Sequence, residues 1–156
     1  MVLMAKIRNI IPWRVAQRWY CLRCGACCRA FIVPVRMAEA WNLVRKYGPV
    51  VINVGGKQYL LKKDDGSCIF LANHGQYSSC QIYFERPRCC RLFPFQIYTE
   101  PPLDAENVDK ALFCYSGGER LYIFLNKKCP GIGHGYEIAS MLPRIIQLWK
   151  EYGHLV

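Results

Sequence analysis

Four thiols fall within eight residues of this 156-residue chain, in the run Cys21-Leu-Arg-Cys24-Gly-Ala-Cys27-Cys28. A C-x-x-C turn lets two thiolates converge on one soft metal ion, and Gly25 can take the positive φ that such a turn needs. Adjacent cysteines rarely point at the same ion, so Cys27 and Cys28 either serve two different sites or leave one thiol spare. Six more thiols, at Cys68, Cys80, Cys89, Cys90, Cys114 and Cys129, could complete two four-thiolate sites using eight of the ten cysteines. The alternative for any one of them is a buried, unliganded thiol, because free cysteine behaves as a small hydrophobe. That alternative is expected of Cys114, which lies inside an apolar strand.

Thiolates select zinc or iron–sulfur over magnesium or calcium. The run C-x-x-C-x-x-C with a remote Cys129-Pro130 is similar to the ligand arrangement of a [4Fe–4S] cluster, although the remote pair lies about a hundred residues downstream. Structural zinc often uses two C-x-x-C pairs, and a second pair of that kind is missing. Zinc and iron–sulfur both stay open. Around Cys90, Arg86-Pro87 and Arg91 could supply positive charge to anionic thiolate sites and N–H donors to their sulfurs. Gly131-Ile-Gly133-His134-Gly135 lacks the Lys of a P-loop and does not match G-x-G-x-x-G, so it is expected to be a turn that positions Cys129. His134 could replace a cysteine as ligand, although a lone histidine between glycines is usually just exposed, and His74 and His154 have no partner that suggests a catalytic pair. No Ser–His–Asp, HExxH or paired-carboxylate arrangement emerges, so a catalytic site is not expected.

The ordered blocks Cys21-x-x-Cys24-Gly-x-Cys27-Cys28, Cys68-Ile-Phe-Leu71, Cys80-Gln-Ile-Tyr83-Phe-Glu-Arg86-Pro87-x-x-Cys90-Arg91-x-Phe93-Pro94-Phe95 and Cys129-Pro-Gly-Ile-Gly133 resemble the YkgJ-type CxxCxxCC family of zinc- or iron-chelating proteins. A related segment occurs in flagellin lysine N-methylases. The resemblance spans roughly residues 20–135. It implies a metal-ligand set of Cys21, Cys24, Cys27, Cys28, Cys68, Cys80, Cys90 and Cys129, with zinc or a [4Fe–4S] cluster at one or two sites. Cys89 and Cys114 fall outside the pattern, as does the basic extension of residues 1–19.

Charge is distributed unevenly. The formal net charge is +10, of which residues 1–38 contribute +7 through Lys6, Arg8, Arg14, Arg18, Arg23, Arg29 and Arg36, with no acid. These bases are interleaved with Trp13, Trp19 and Tyr20, a combination suited to phosphate contact and base stacking, so RNA or the ribosome is the expected partner. The competing expectation is a solvated basic extension that packs its Trp residues on the body. Leu3, Ile7, Ile10 and Ile11 share one helical face, but Pro12 would stop that helix after about two turns. With a hydrophobic fraction of 53% the chain is not a disordered one. Its longest apolar stretches, such as Leu121 to Leu125, fall far short of the roughly 20 residues a bilayer needs. The basic, Pro12-interrupted start does not read as an export signal, so a cytoplasmic location is expected and thiol ligands are preferred over disulfides.

The elements that must position these thiols read as a small, loop-rich α+β domain with hairpins and two or three helices, stapled by Cys-ligated metal sites. Residues 1–19 are expected as a basic aromatic extension and 20–156 as a single metal-binding domain. A helix is expected over Val35–Tyr47, with Met37, Trp41, Val44 and Tyr47 at three- and four-residue spacing. Gly55-Gly56 and Gly117-Gly118 each join two strands into a hairpin. Cys68–Leu71 reads as a short strand, residues 72–79 as a loop, and Phe93–Thr99 as an edge strand because of Pro94. Tyr136–Tyr152 reads as a helix with Ile138, Leu142, Ile145, Ile146 and Trp149 on its apolar face, kinked or restarted at Pro143.

Two functional readings follow. One is a non-catalytic metalloprotein that docks on RNA through residues 1–38. The other is an iron–sulfur protein that transfers electrons or assists a lysine-methylation type of reaction. If eight cysteines form two four-thiolate sites of net −2 each, the formal net charge of +10 falls to +6 in the holoprotein.

Overall fold

Leu121-Tyr-Ile-Phe-Leu125 is apolar on both faces of a strand, which suits a strand covered on both sides. The computed structural model, which describes residues 9–152, places it in β10 (Glu119–Asn126). Leu3, Ile7, Lys6, Arg8 and His154 lie outside the described residues. The chain divides into two compact units, residues 23–91 and the remainder.

In the unit formed by residues 9–22 and 92–152, β10 is the axis. One edge pairs antiparallel with β8 (Phe95–Tyr98), in the register Leu125↔Phe95 and Tyr122↔Tyr98. The other edge is shared by β9 (Leu112–Tyr115) and β1 (Ile10–Pro12), which pair with different stretches of β10. Leu121, Ile123 and Leu125 point to one face and are fully buried against Trp13, Ile138, Leu142 and Ile146. Phe124 points to the other and packs with Ile10 and Ala111. β8 is an edge strand as expected, following the cis Phe93–Pro94 peptide.

α6 (Ile138–Tyr152) covers the first face, its buried Ile138, Leu142 and Ile146 recurring every fourth residue. Pro143 sits inside it without ending it. The unit is completed by α1 (Trp13–Ala16), α5 (Val108–Ala111) and the two-stranded pairing of β2 (Arg18–Trp19) with β11 (Tyr136–Glu137). Ile10 and Ile11 therefore lie on a strand rather than on the expected helical face. The ladder offered by β10 satisfies their backbone groups and buries Ile10.

In the unit of residues 23–91, β3 (Pro34–Val35), β5 (Lys57–Leu60) and β4 (Val51–Val54) form a sheet in that order. Gly55-Gly56 closes the β4–β5 hairpin. The expected helix is α3 (Met37–Tyr47), but its phase differs from the reading of the sequence. Ala40 and Leu43 are buried, while Met37 and Trp41 are 75% and 69% exposed. Glu39 explains the rotation: one carboxylate oxygen accepts from the Arg36 N–H at 3.0 Å, the other from the Arg88 N–H at 2.9 Å. With Glu39 held inward, Ala40 and Leu43 follow it onto the core side.

Residues 72–79, expected as a loop, belong largely to the hairpin β6 (Leu71–Asn73) and β7 (Ser78–Cys80). Its turn closes with the His74 N–H on the Tyr77 carbonyl at 2.8 Å, and small residues fit because Ser78 is buried. Cys68 lies just before that strand, in a single bridge with Lys62. α2 (Ala26–Ala30), a 3-10 turn (Tyr83–Glu85) and α4 (Arg88–Leu92) complete an α+β architecture. Of the six helices among the described residues, α3 and α6 are the long ones and the two read from sequence.

Candidate metal centre

Gly25 sets the direction of the cysteine run. At φ +76° it turns the chain out of Cys24 and into α2. A Cβ there would lie 2.8 Å from the mobile end of the Arg29 side chain and 3.0 Å from Leu71, and the positive φ favours glycine at this position. The Arg29 N–H then bonds back to the Gly25 carbonyl at 3.1 Å and its guanidinium to Ser78 Oγ at 2.7 Å, tying the turn to β7.

Five of the expected ligands gather in this unit from four segments: Cys27 and Cys28 on α2, Cys68 before β6, Cys80 at the end of β7, and Cys90 on α4. All ten cysteines are free thiols. Cys28, Cys80, Cys89 and Cys90 pack against the core that contains Cys68, and the Cys68 N–H bonds the Cys28 carbonyl at 2.8 Å. The thiols also perturb one another. The Cys28 thiol donates to Cys27, which lowers Cys27 to about 6 against the opposing effect of burial and raises Cys28. Burial raises Cys68 and Cys80, with nearby Cys90 adding to both. Cys90 is raised first by its hydrogen bond to Cys89, 4.0 Å away, and then by burial. Cys89, expected as a bystander, thus adjoins the set, and its own thiol donates to the Pro34 carbonyl at 3.2 Å. Its place beside Cys90 on one short helix was the available signal.

Two cations face these sulfurs. Arg86 lowers the pKa of Cys27 and Cys80 and opposes the rise of Cys90, and Lys62 acts on Cys68 in the same sense. Arg86 is held by its Nε on the Tyr83 carbonyl at 2.8 Å, with its guanidinium 3.9 Å from the centre of the Tyr83 ring. Arg23 sits 4.1 Å from the same ring. Backbone donors complete the surroundings: Phe70 N–H serves Cys68, Ile82 N–H serves Cys80, and Ala26 N–H serves Cys24 at 3.4 Å. In each case the donor lies two residues after its cysteine, a local turn that directs an N–H at a sulfur and favours the thiolate. The donor set is therefore soft and anionic once deprotonated, with cations and N–H groups around it, and it fits zinc or iron. Among the described residues, no group of three or more His, Cys, Asp or Glu side chains stands ready-formed as an ion site.

Cys24 belongs to the same unit and is exposed. Cys21 and Cys129 belong to the other unit, on segments that meet where Trp19 bridges Ile132 and the Tyr20 N–H bonds the Gly131 carbonyl at 3.2 Å. Cys129 Sγ accepts from Trp19 Nε1 at 3.3 Å. The glycine motif serves this meeting. A Cβ on Gly131 would fall 2.0 Å from the Tyr20 carbonyl oxygen, and one on Gly135 would fall 2.3 Å from Tyr20 Cβ. The His134 N–H closes a turn on Gly131 at 3.3 Å. His74 pairs with Ser79 Oγ at 2.8 Å and stacks on Tyr77. Cys114 is exposed on β9, not interior as expected, because Phe113 and Tyr115 on the opposite face of the strand are the side chains that pack on the core.

The aromatic residues of the basic N-terminal quarter are largely committed to packing. Trp13 is buried and packs edge-on against Phe113, with the Arg14 guanidinium 4.3 Å from its ring and donating to the Leu112 carbonyl. Trp19 packs against Phe95. Among the described residues, no helix is long and apolar enough to cross a membrane.

An α+β scaffold that collects free thiols from separate segments beside compensating cations defines a chelating class of protein. Residues 20–117 match the CxxCxxCC family, described as "Putative zinc- or iron-chelating domain", and the chain belongs to that family. The matched span ends before Cys129. No curated protein and no solved structure matches the chain.

Proposed function

We propose that residues 23–91 form a thiolate metal centre for zinc or an iron–sulfur cluster, its four ligands drawn from Cys24, Cys27, Cys28, Cys68, Cys80 and Cys90, with only one of the adjacent Cys27 and Cys28 on a given ion. One observation carries this: Cys28, Cys80 and Cys90, from three separate segments, pack on the core that contains Cys68, whose N–H bonds the Cys28 carbonyl at 2.8 Å. Thiolates must lose protons to bind a soft ion, and the two cations and three N–H donors offset the resulting negative charge. A bound ion or cluster would cross-link segments that otherwise meet through a small core and a few hydrogen bonds. Cys21 and Cys129 would then hold the other unit's chain crossing rather than this centre.

Docking on RNA or the ribosome would rest on charge and on Tyr20, which is exposed, since Trp13 is buried and Trp19 is engaged with Phe95 and Cys129. The metal reading is therefore the one we carry forward. It is tested by anaerobic purification, metal analysis and a visible spectrum on the wild type, Cys90→Ser and Cys114→Ser. Zinc without colour or iron with broad visible absorption is expected in the wild type and in Cys114→Ser, with loss in Cys90→Ser. A protein that carries neither metal, or a Cys90→Ser variant that keeps its full content, overturns the assignment.

A further inference from the structure

A second feature of the same unit is independent of the thiols. An open cleft of about 770 Å³ lies along the last turns of α3 and the segment from Phe84 to Arg91. That volume falls within the roughly 300–1,000 Å³ common for small-molecule sites. Its lining is strongly one-signed. Arg45, Lys46, Arg86, Arg88 and Arg91 contribute five positive charges against Glu39 and Glu85, a formal balance of +3.

Both carboxylates are already engaged. Glu85 is shared by the Lys46 ammonium and by the Tyr47 hydroxyl at 2.7 Å, and these partners hold its carboxyl below the usual range. Glu39 accepts the two backbone N–H groups that fix the phase of α3. The acids thus serve the fold, as Arg86 does on Tyr83, while Arg45 and Arg91 bring two further guanidinium-bearing side chains to the same lining. Gathering like charges is unfavourable unless something anionic repays it. Phe84 adds an apolar surface: it lines the cleft and is 84% exposed, although a large aromatic ring is normally withdrawn from water.

We infer that this cleft binds a phosphate-bearing ligand with a flat apolar part, of the size of a nucleoside diphosphate. Guanidinium forks match phosphate oxygens in pairs, and a planar base stacks on an exposed ring, so the two features answer to the two halves of one molecule. The segment that lines the cleft also carries Cys89 and Cys90, so an occupied cleft would order the backbone next to the thiols.

The test is calorimetric titration of the full-length protein, its metal content measured on the same sample, with three probes: inorganic pyrophosphate, ADP and a ten-nucleotide oligouridylate. Saturable binding of pyrophosphate and tighter binding of ADP are expected. Arg45→Glu should weaken both by roughly tenfold or more, the usual effect of losing a charge-assisted contact. Phe84→Ala should weaken ADP by roughly tenfold and leave pyrophosphate unchanged. Lys57→Glu, which makes the same change in net charge on exposed β5, should alter neither. Unchanged thermal midpoints, with Arg45→Gln as a milder second variant, show that folding is intact. Absence of saturable binding, equal effects of Arg45→Glu and Lys57→Glu, or binding of the oligouridylate alone overturns the assignment. An ADP affinity indifferent to Phe84→Ala does so too.

Discussion

At the residue scale, glycine and cysteine positions do most of the specifying. Gly131 shows why. Its hydrogen sits where any Cβ would strike the Tyr20 carbonyl oxygen, so the chain carrying Cys21 and the chain carrying Cys129 can cross only there. Gly131→Ala should push the two strands apart and destabilise the protein by about 1–3 kcal/mol, the usual range for overpacking a close contact. Chemical denaturation with the midpoint and slope both fitted would show it; a midpoint unchanged from wild type would mean that the crossing tolerates a methyl group. Cysteines are read less directly. The spacing of Cys21, Cys24, Cys27 and Cys28 announces metal chemistry, yet it does not say which thiols face each other. Cys24 is exposed and Cys21 lies in the other unit, while Cys27 and Cys28 look toward Cys68, Cys80 and Cys90.

At the element scale, α3 and α6 contrast. For α6 the spacing of apolar residues names the buried face correctly, because Ile138, Leu142 and Ile146 have a two-sided sheet to pack on. In α3 the stripe of Met37, Trp41 and Val44 is the more apolar one, and it is nevertheless outside. Glu39 anchors the opposite side, and small Ala40 with Leu43 fills the space available there. The consequence is a reversal of the usual ranking of side chains. Leu43→Ala should cost about 2–5 kcal/mol, as expected for a buried leucine. Trp41→Ala, despite the much larger deletion, should stay within about 1 kcal/mol. Thermal or urea unfolding of the two variants decides between the phases: a larger loss for Trp41→Ala would place the stripe inside.

At the scale of the whole molecule, the chain is two compact units that differ in what holds them. Residues 9–22 and 92–152 have a sheet buried on both faces and a 15-residue helix across it. Residues 23–91 have shorter elements, and five or more thiols occupy the place where further apolar contacts would be. A small unit of this kind gains much of its stability from a bound metal. Stripping the metal with a chelator should therefore raise hydrogen exchange across residues 24–91, measured by mass spectrometry, and leave the peptides of α6 protected. Uniform deprotection of both units, or no change in either, would contradict a metal-dependent unit.

The sequence by itself determined the chemistry and the local elements. Thiol spacing, two glycine-closed hairpins and the α6 periodicity depend on neighbours within a few residues, and these are legible because backbone geometry and side-chain period are local properties. Only the tertiary structure decided which face of α3 is buried, that Ile10 and Ile11 pair as a strand, that residues 72–79 form most of a hairpin, and that Cys89 joins the thiols while Cys114 faces water. Each of these turns on a partner far away in the chain. The β10 ladder claims Ile10 and Ile11, Glu39 reaches the Arg88 backbone, and Arg29 reaches Ser78. Propensity and spacing cannot anticipate such partners, since the free energy that selects them comes from contacts made only once the chain has folded.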